Sequence, residues 1–592
     1  MIPRPMTAAR TEISRRELAF LVVGACLLSV MMNWPLILNL GTDIPRDIGD
    51  PLVQSWQIAW GGHALGHQPL DFFQANHFWP LPDTLAFSDA LIGYAPAGLI
   101  GDGPKAAVAR YDLMFMFAYA LVFVGAYLLA RELGLGPGGA AVAGAACAFA
   151  PYRLEQDGHM QVISSGGVPL SLALGVRGYR LAQPGWVVAA FCVAAWQLSL
   201  GFSVGLPFAH LLGILALIAV IYWLRAGRPP LERRLVVATV VGLAIFGGVT
   251  AVISRPYVRV ADAHPQAHRS PEVVEEFSGP AKVFIVAPRE NSIWGDRTEK
   301  YRVNLQNPQE KTLFPGLVIL VLAGIGLGSP VFPRGLRIGL GVGVLVVSVL
   351  ALGFQVEDGL RWPYRVVYEV NPLWEAIRVP GRLLVFSSLG LALLAGAGAH
   401  AVGRALARRV DAAELTPRAA AAPTVLAALL AAAIVIEGRG LPFDPYDDQD
   451  QPPVPYAPAR VADVPTPQLH LPAERAVDNR RYVLWSTDGF PAMVNGRSSL
   501  IPAYTDALLK DVHSFPDRRS VAQLKAFGIR SVIFYTRRLS GTPWEGAADR
   551  SVAGLGLIRR ERDGVVIYEI PSLSAGPGES NDSSAGSDRR SL

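Results

Sequence analysis

LAFLVVGACLLSVMMNWPLILNL, residues Leu18–Leu40, decides the fold together with the segment that follows, Asp43-Ile-Pro-Arg-Asp-Ile-Gly-Asp-Pro-Leu-Val-Gln-Ser-Trp56. The apolar run has no charged residue and is long enough to cross a bilayer core of about 30 Å. The chain then leaves the bilayer carrying Asp43, Asp47 and Asp50 within a few residues. Asp50-Pro51 has the chemistry of a helix start, because Asp caps free N–H groups and Pro is pre-set for the first turn. The helix it opens places Leu52, Trp56, Ala59, Trp60, His63 and His67 along one side, and its tryptophans suit a position on the membrane surface. Carboxylates at a water–lipid boundary mark a place for chemistry on a lipid-borne substrate.

The whole chain is charge-poor. Of 592 residues 51% are hydrophobic and 17% charged, where a soluble protein carries about 25% charged residues; the mean hydropathy is +0.32. Apolar runs recur at about 18–40, 110–131, 138–151, 162–181, 185–201, 203–224, 234–254, 312–330, 335–353, 383–405 and 421–438. They predict an α-helical polytopic membrane protein with about 11 transmembrane helices. With residues 1–17, including Arg10, Arg15 and Arg16, on the cytoplasmic side, the short basic loops all fall inside: Arg131, then Arg177 and Arg180, then Arg225, Arg228, Arg233 and Arg234. Arg334 and Arg337, and then Arg404, Arg408, Arg409 and Arg418, follow the same rule. The scheme requires Ala90–Ile100, which contains Gly93, Pro96 and Gly98, not to span. The first run is too long for a signal-peptide core and reads as an uncleaved anchor. The net charge of +5 is then a topology signal, and no nucleic-acid partner is expected. Cys26, Cys147 and Cys192 sit in apolar runs and support neither a disulfide framework nor a zinc site.

Outside lie the large loops 41–109 and 255–311, a shorter loop 355–382, and everything after about residue 439. The Pro- and Asp-rich stretch 439–467 reads as an extended linker, 468–571 as a small extracytoplasmic α/β domain, and the Gly/Ser-rich 572–592 as a disordered tail. In the domain, Arg481–Trp485 and Ser531–Tyr535 read as strands and Ser520–Phe527 as a helix ended by Gly528. Ile558–Arg562 and Val565–Glu569 flank Asp563-Gly564, a hairpin signal.

Three outside clusters could carry chemistry. The first joins Asp43, Asp47 and Asp50 with His77 and Asp89; one carboxylate could act as general base, although helix capping alone also explains Asp50. The second is Arg153, Glu155, Asp157, His159 and Gln161, where His159 and Gln161 could face a sugar, or the loop could be an ordinary solvated turn. The third is Arg378-Val-Pro-Gly-Arg382, with Arg361 and Arg365 before it. Arginines on an outside loop run against the positive-inside bias and suit phosphate oxygens, or else they snorkel to headgroups. Arg255 and Arg259 are weaker candidates for that role. Glu310, in Glu310-Lys-Thr-Leu-Phe-Pro-Gly316, is either a first-turn charge or a pocket wall. No Walker loop, Rossmann fingerprint, zinc-ligand spacing or nucleophile elbow is present in the sequence.

Gly49-Asp-Pro-Leu52 resembles bacterial multi-pass membrane glycosyltransferases of the GT-C superfamily, in a largely uncharacterised branch. So do Asn76-His-Phe-Trp-Pro80, Phe87-Ser-Asp89, Ala150-Pro-Tyr-Arg153 with Gly158-His159 and Gln161, Leu313-Phe-Pro-Gly316 and Val379-Pro-Gly-Arg382. The likeness extends into the outer domain at Val494-Asn-Gly496 and Ser514-Phe-Pro516, and the order of these motifs is a stronger signal than any one of them. The resemblance implies an inverting glycosyltransferase in a bacterial inner membrane, taking a sugar from a polyprenyl-phosphate donor to a lipid or glycan acceptor on the outer face. It implies Asp50 as base, Asp89 as a second acidic contact, His159 and Gln161 at the sugar, and Arg378 and Arg382 on the carrier phosphate. Asp47, His77 and Glu310 are further binding candidates. No cofactor is expected, with a divalent metal left open. The acidic pair adjacent in sequence that marks protein mannosyltransferases is absent, so protein mannosylation is not implied. Two rivals stand beside this reading: a transporter or flippase of a lipid-linked saccharide, for which inverted repeats are lacking, and a non-catalytic scaffold for envelope glycan assembly.

Overall fold

A computed structural model describes residues 12–354, 362–411, 417–440 and 451–571. Arg10, Arg361, the tail 572–592, residues 441–450 of the expected linker, and the side chains of Arg409 and Arg418 lie outside the described residues.

Each apolar run is helical. Helix α1 (Arg15–Met32) leads through the outer segment to α2 (Asp50–His67), α3 (Gly103–Glu132) and α4 (Pro137–Ala148). Helices Gly167–Leu181, Pro184–Leu200, Phe202–Arg225, Arg233–Ala263, Leu317–Gly328, Arg334–Ala351, Leu384–Asp411 and Pro417–Glu437 complete the bundle. Among the described residues, five stretches are long and apolar enough to cross a membrane: Gly103–Glu132, Phe202–Arg225, Arg233–Ala263, Arg334–Ala351 and Pro380–Arg408. At one end of the bundle the basic loop residues are paired: Arg131 meets Glu17 at 2.7 Å, and Arg177 and Arg180 meet Glu132 at 2.8 and 2.6 Å. The outer loops gather at the other end.

Helix α2 does not lie on a surface. Residues Pro51–Gly62 are all buried, with Trp56 donating to Asn76 Oδ1 at 3.0 Å and Trp60 to the Phe72 carbonyl at 3.0 Å. A helix that is apolar on every face is stable only when it is covered on every face. The 3-10 segment Ile92–Leu99 covers one side, so Ala90–Ile100 packs on α2 and does not span. There the two backbones touch: a Cβ on Gly62 would overlap Gly98, and one on Gly98 would overlap the Ile58 carbonyl. Gly62→Ala is therefore expected to destabilise the protein by about 1–3 kcal/mol, the cost of overpacking, as a lowered unfolding temperature in detergent.

The opposite side of α2 is covered by helix Ala476–Trp485 of the outer domain. This helix overturns the strand expected at Arg481–Trp485. Tyr482, Val483, Leu484 and Trp485 are all buried, and such a short, fully apolar run carries no period that separates helix from strand. The sheet has the order β1-β2-β4-β3, formed by β1 (Gln468–Leu471), β2 (Ser531–Tyr535), β3 (Ile558–Arg562) and β4 (Val565–Glu569). β1 runs parallel to β2 and the other pairs are antiparallel. Leu469, Val532, Phe534, Val566 and Tyr568 face one core; Ile533, Tyr535, Val565 and Ile567 face another, shared with Tyr482 and Trp485. Helix Arg518–Phe527 has its Asp517 cap and a left-handed Gly528 at φ +89°.

The stretch after residue 451 is no free linker. Ile44 N–H donates to the Pro452 carbonyl at 3.1 Å and Val454 N–H to the Thr42 carbonyl at 2.8 Å. Met493 N–H donates to Asn76 and Trp79 N–H to Met493, at 2.8 and 3.0 Å. These bonds fasten the outer domain to loop 41–109.

Candidate active site at the outer face

The site is built around the first turn of α2. Asp47 Oδ1 accepts the Gly49 N–H at 2.7 Å, closing the turn from which the helix starts. Asp47 thus shapes the backbone, and Gly49 occupies the capping position. Asp50 is the first helical residue. Its side chain is 49% exposed and meets Arg480 Nη2 of the outer domain at 3.1 Å. The carboxylate is free of a capping bond.

The second wall is the loop Pro151–Gly158 and the residues after it. Gln161 Oε1 accepts from Gln54 of α2 at 3.0 Å, while Gln54 Oε1 accepts from Tyr111 at 3.1 Å. His159 Nε2 lies 3.5 Å from Glu310 Oε1, and its Nδ1 is buried without a partner. Burial presses the ring below the usual histidine value, against the pull of Glu310. Arg46 spans Glu155 and Glu290, each at 2.7 Å. Burial pushes Glu155 up, to about 7, against the pull of Arg46.

Glu310 holds the third wall. It is 5% exposed; Oε1 accepts from Arg382 Nη2 at 2.6 Å and Oε2 from Gln156 at 3.4 Å. Burial raises its proton affinity, but Arg382 and then His159 outweigh burial and bring it to about 2. Glu310 is therefore the anchor of Arg382 and an ionised pocket wall.

Arg378 differs from Arg382. Its guanidinium lies 5.0 Å from the centre of the Phe277 ring, and it has no carboxylate partner among the described residues. Burial, and then Arg382 and Arg269, press it below the usual arginine value. Arg497 of the outer domain is in the same condition, pressed down by burial and by Arg480. The Asp50 charge acts on Arg378, Arg497 and His159, and Arg382 feels Asp89 as well as Asp50. Asp50 is paired with Arg480 and Glu310 with Arg382, while Arg378 and Arg497 are partly buried and make no ion pair among the described residues. Guanidinium groups in that condition suit an anion.

Two expected residues lie elsewhere in function. Asp89 spends both oxygens on the start of helix Phe202–Arg225: Oδ1 accepts the Phe202 N–H at 2.7 Å and Oδ2 the Ser203 hydroxyl. Both oxygens serve the helix start, where a second acidic contact among the catalytic residues was expected of Asp89. Asp89→Ala is expected to cost about 1–2 kcal/mol of stability and to change activity far less than substitution of Asp50, measured by thermal unfolding and turnover on the same preparation. His77 is sealed between Trp56 (ring centroids 4.4 Å apart) and Phe78, and burial pushes it down to about 3; it reaches no ligand. Arg259 is consumed by Asp83 through two bonds of 2.7 and 2.8 Å. Arg480 and Arg497 escaped the sequence reading. The one available signal was Arg480-Arg481 at the head of the expected strand Arg481–Trp485, where a buried strand would not begin on a charge pair. Among the described residues, no group of three or more His, Cys, Asp or Glu is placed to hold a metal ion.

Fold and site together define a polytopic helical membrane protein with a small α/β domain whose Arg480 meets Asp50 at the start of α2. No family model and no curated protein matches the chain. Among solved structures it is similar to the Archaeoglobus fulgidus oligosaccharyltransferase, over 95% of this chain and 75% of that one, at 14% identity and TM-score 0.43. It is also similar to the mycobacterial arabinofuranosyltransferase AftD (95% and 42%, 17% identity, TM-score 0.48). A third is ArnT from Cupriavidus metallidurans bound to undecaprenyl phosphate (95% and 100%, 15% identity, TM-score 0.38). At these values the likeness fixes no residue correspondence and no chemistry.

Proposed function

We propose that the protein is an integral-membrane glycosyltransferase that moves a sugar from a polyprenyl-phosphate donor to an acceptor on the outer face of a bacterial plasma membrane. The observation that carries this reading is the half-exposed Asp50 together with Arg378, a desolvated arginine that has no carboxylate partner among the described residues and on which the Asp50 charge acts. A lipid-borne phosphate enters from the bilayer at headgroup height, where Arg378 and Arg382 sit at the mouth of helix Leu384–Asp411. As the acceptor oxygen bonds to the anomeric carbon, the bond from that carbon to the phosphate oxygen breaks and the lipid phosphate leaves with added negative charge. Arginines fixed beforehand stabilise that charge, and Asp50 takes the proton from the acceptor hydroxyl. Attack from the face opposite the phosphate inverts the anomeric centre. The paired arginines at the other end of the bundle support an inward orientation for that end.

The test is reconstitution of the full chain in liposomes with polyprenyl-phosphate sugars and envelope lipid extract. New glycosidic bonds of inverted configuration are expected. Saccharide crossing the bilayer without bond formation would overturn the reading in favour of a transporter.

A further inference from the structure

The basic centre has two sides. Arg378 and Arg382 come from the membrane-embedded part, whereas Arg480 and Arg497 are carried by the outer domain. One lipid phosphate at headgroup height accounts for the first pair and leaves the second unexplained. Arg480 has a single carboxylate partner, Asp50, and its Nε is buried without a bond. Arg497 is half-buried, has no hydrogen bond or carboxylate among the described residues, and stands close enough to Arg480 to be repelled by it.

The fold holds Arg497 in this position. Asn495, immediately before it, is buried and tied to both polar groups of the His470 backbone, accepting at 2.6 Å and donating at 2.9 Å. Between them, Gly496 lies flat on Phe78, where a Cβ would come within 2.6 Å of the ring. A charged side chain is thus fixed by a buried asparagine and a glycine that tolerates no substituent, partly desolvated, with no ion pair among the described residues and with the Asp50 charge acting in its favour. Such an arrangement fits a ligand that brings its own negative charge. Arg497 also lines a cavity of about 320 Å³ that is walled by Asn479, Asn495, Thr505 and Lys510 and includes Glu474 and Asp506. Its hydroxyl, amide and mixed-charge lining suits a polyhydroxylated molecule.

We propose that Arg497, with Arg480, forms an anion subsite of the outer domain that recognises a phosphate or carboxylate on the sugar acceptor, so that the acceptor is an anionic saccharide. This rests on the glycosyltransferase reading only in calling the ligand an acceptor; the subsite itself is read from the arginines. Seated there, an acceptor anion draws Arg480 from Asp50 and leaves that carboxylate free to take the hydroxyl proton.

Two probes separate the sides: glucose 6-phosphate, with glucose as its neutral control, and undecaprenyl phosphate, each titrated calorimetrically into the full-length protein in lipid nanodiscs. The wild type is expected to bind glucose 6-phosphate and not glucose. Arg497→Ala is expected to weaken glucose 6-phosphate at least about tenfold, the scale of one lost charged hydrogen bond, and to keep undecaprenyl phosphate within about twofold. Arg378→Ala should give the opposite pattern, and Arg497→Lys should retain much of the binding, which controls for misfolding. Equal binding of glucose and glucose 6-phosphate overturns the proposal, as does an Arg497→Ala variant that weakens both phosphates together. Arg497-dependent binding of glucose 6-phosphate in a protein that ignores undecaprenyl phosphate supports the subsite and removes the donor assignment instead.

Discussion

Asp50→Asn is expected to lower sugar transfer about a thousandfold, in the middle of the range for loss of a general base, while the protein inserts and unfolds as the wild type does. The two halves follow from one geometry. Asp50 is half-exposed, supplies no capping bond, and makes a single ion pair with Arg480. Removing an exposed ion pair costs about 0–1 kcal/mol, so stability is a weak reporter at this position. The amide keeps the shape of the carboxylate but cannot take a proton from an acceptor hydroxyl. Turnover and thermal unfolding measured on one preparation separate the effects. Wild-type turnover in Asp50→Asn would remove the residue from the mechanism, and a collapsed unfolding temperature would make it structural.

The second large effect is at Glu310 and has the opposite character. Its carboxylate is almost wholly buried and bonded to the equally buried Arg382 at 2.6 Å. Deleting one member of such a pair strands the other charge in a low-dielectric setting, at about 3–5 kcal/mol. Glu310→Gln is expected to show that loss, and the double change Glu310→Gln with Arg382→Met to recover much of it, because two neutral groups leave nothing stranded. The pH dependence has a definite sign. The folded value of Glu310, about 2, lies below the unfolded value of about 4.3. Its contribution is therefore fully present above the unfolded value and is lost as the pH falls toward 2. The stability gap between wild type and Glu310→Gln should be constant from pH 7 to about 5 and should close at lower pH. A gap that widens on acidification would contradict the assignment of Glu310 as the ionised partner.

The apolar runs were legible because a bilayer imposes length and lack of charge on a span, and both can be read from composition; of the about eleven spans expected, five described stretches are long and apolar enough to cross. Asp563-Gly564 and Gly528 were legible because turns and helix ends have local chemistry. Three features were not. Helix α2 carries tryptophans that fit an interfacial helix as well as a buried one, and only the outer domain and the 3-10 segment against it decide between the two. The run Arg481–Trp485 is too short for its period to show. β1 has four residues, all buried, between Pro467 and Pro472. Of the candidate residues, Asp50, Glu310, His159, Arg378 and Arg382 were singled out because ionisable groups in loops beside apolar runs are conspicuous in a charge-poor chain. Arg480 and Arg497 were not, because charge in a soluble domain is ordinary and only the docking of that domain on α2 brings them to Asp50. Asp89 and His77 showed the reverse: conspicuous residues whose polar atoms turn out to be occupied or enclosed by their own surroundings.

The central claim is that a lipid-borne phosphate binds between Arg378, Arg382 and Asp50. An experimental density map of the full-length protein in nanodiscs with undecaprenyl phosphate tests it most directly. Phosphate density within hydrogen-bonding distance of Arg378 and facing Asp50 is the expected result. Phosphate seated instead in the cavity lined by Arg46, Arg153 and Asp157, with the Arg378 side empty, would contradict it.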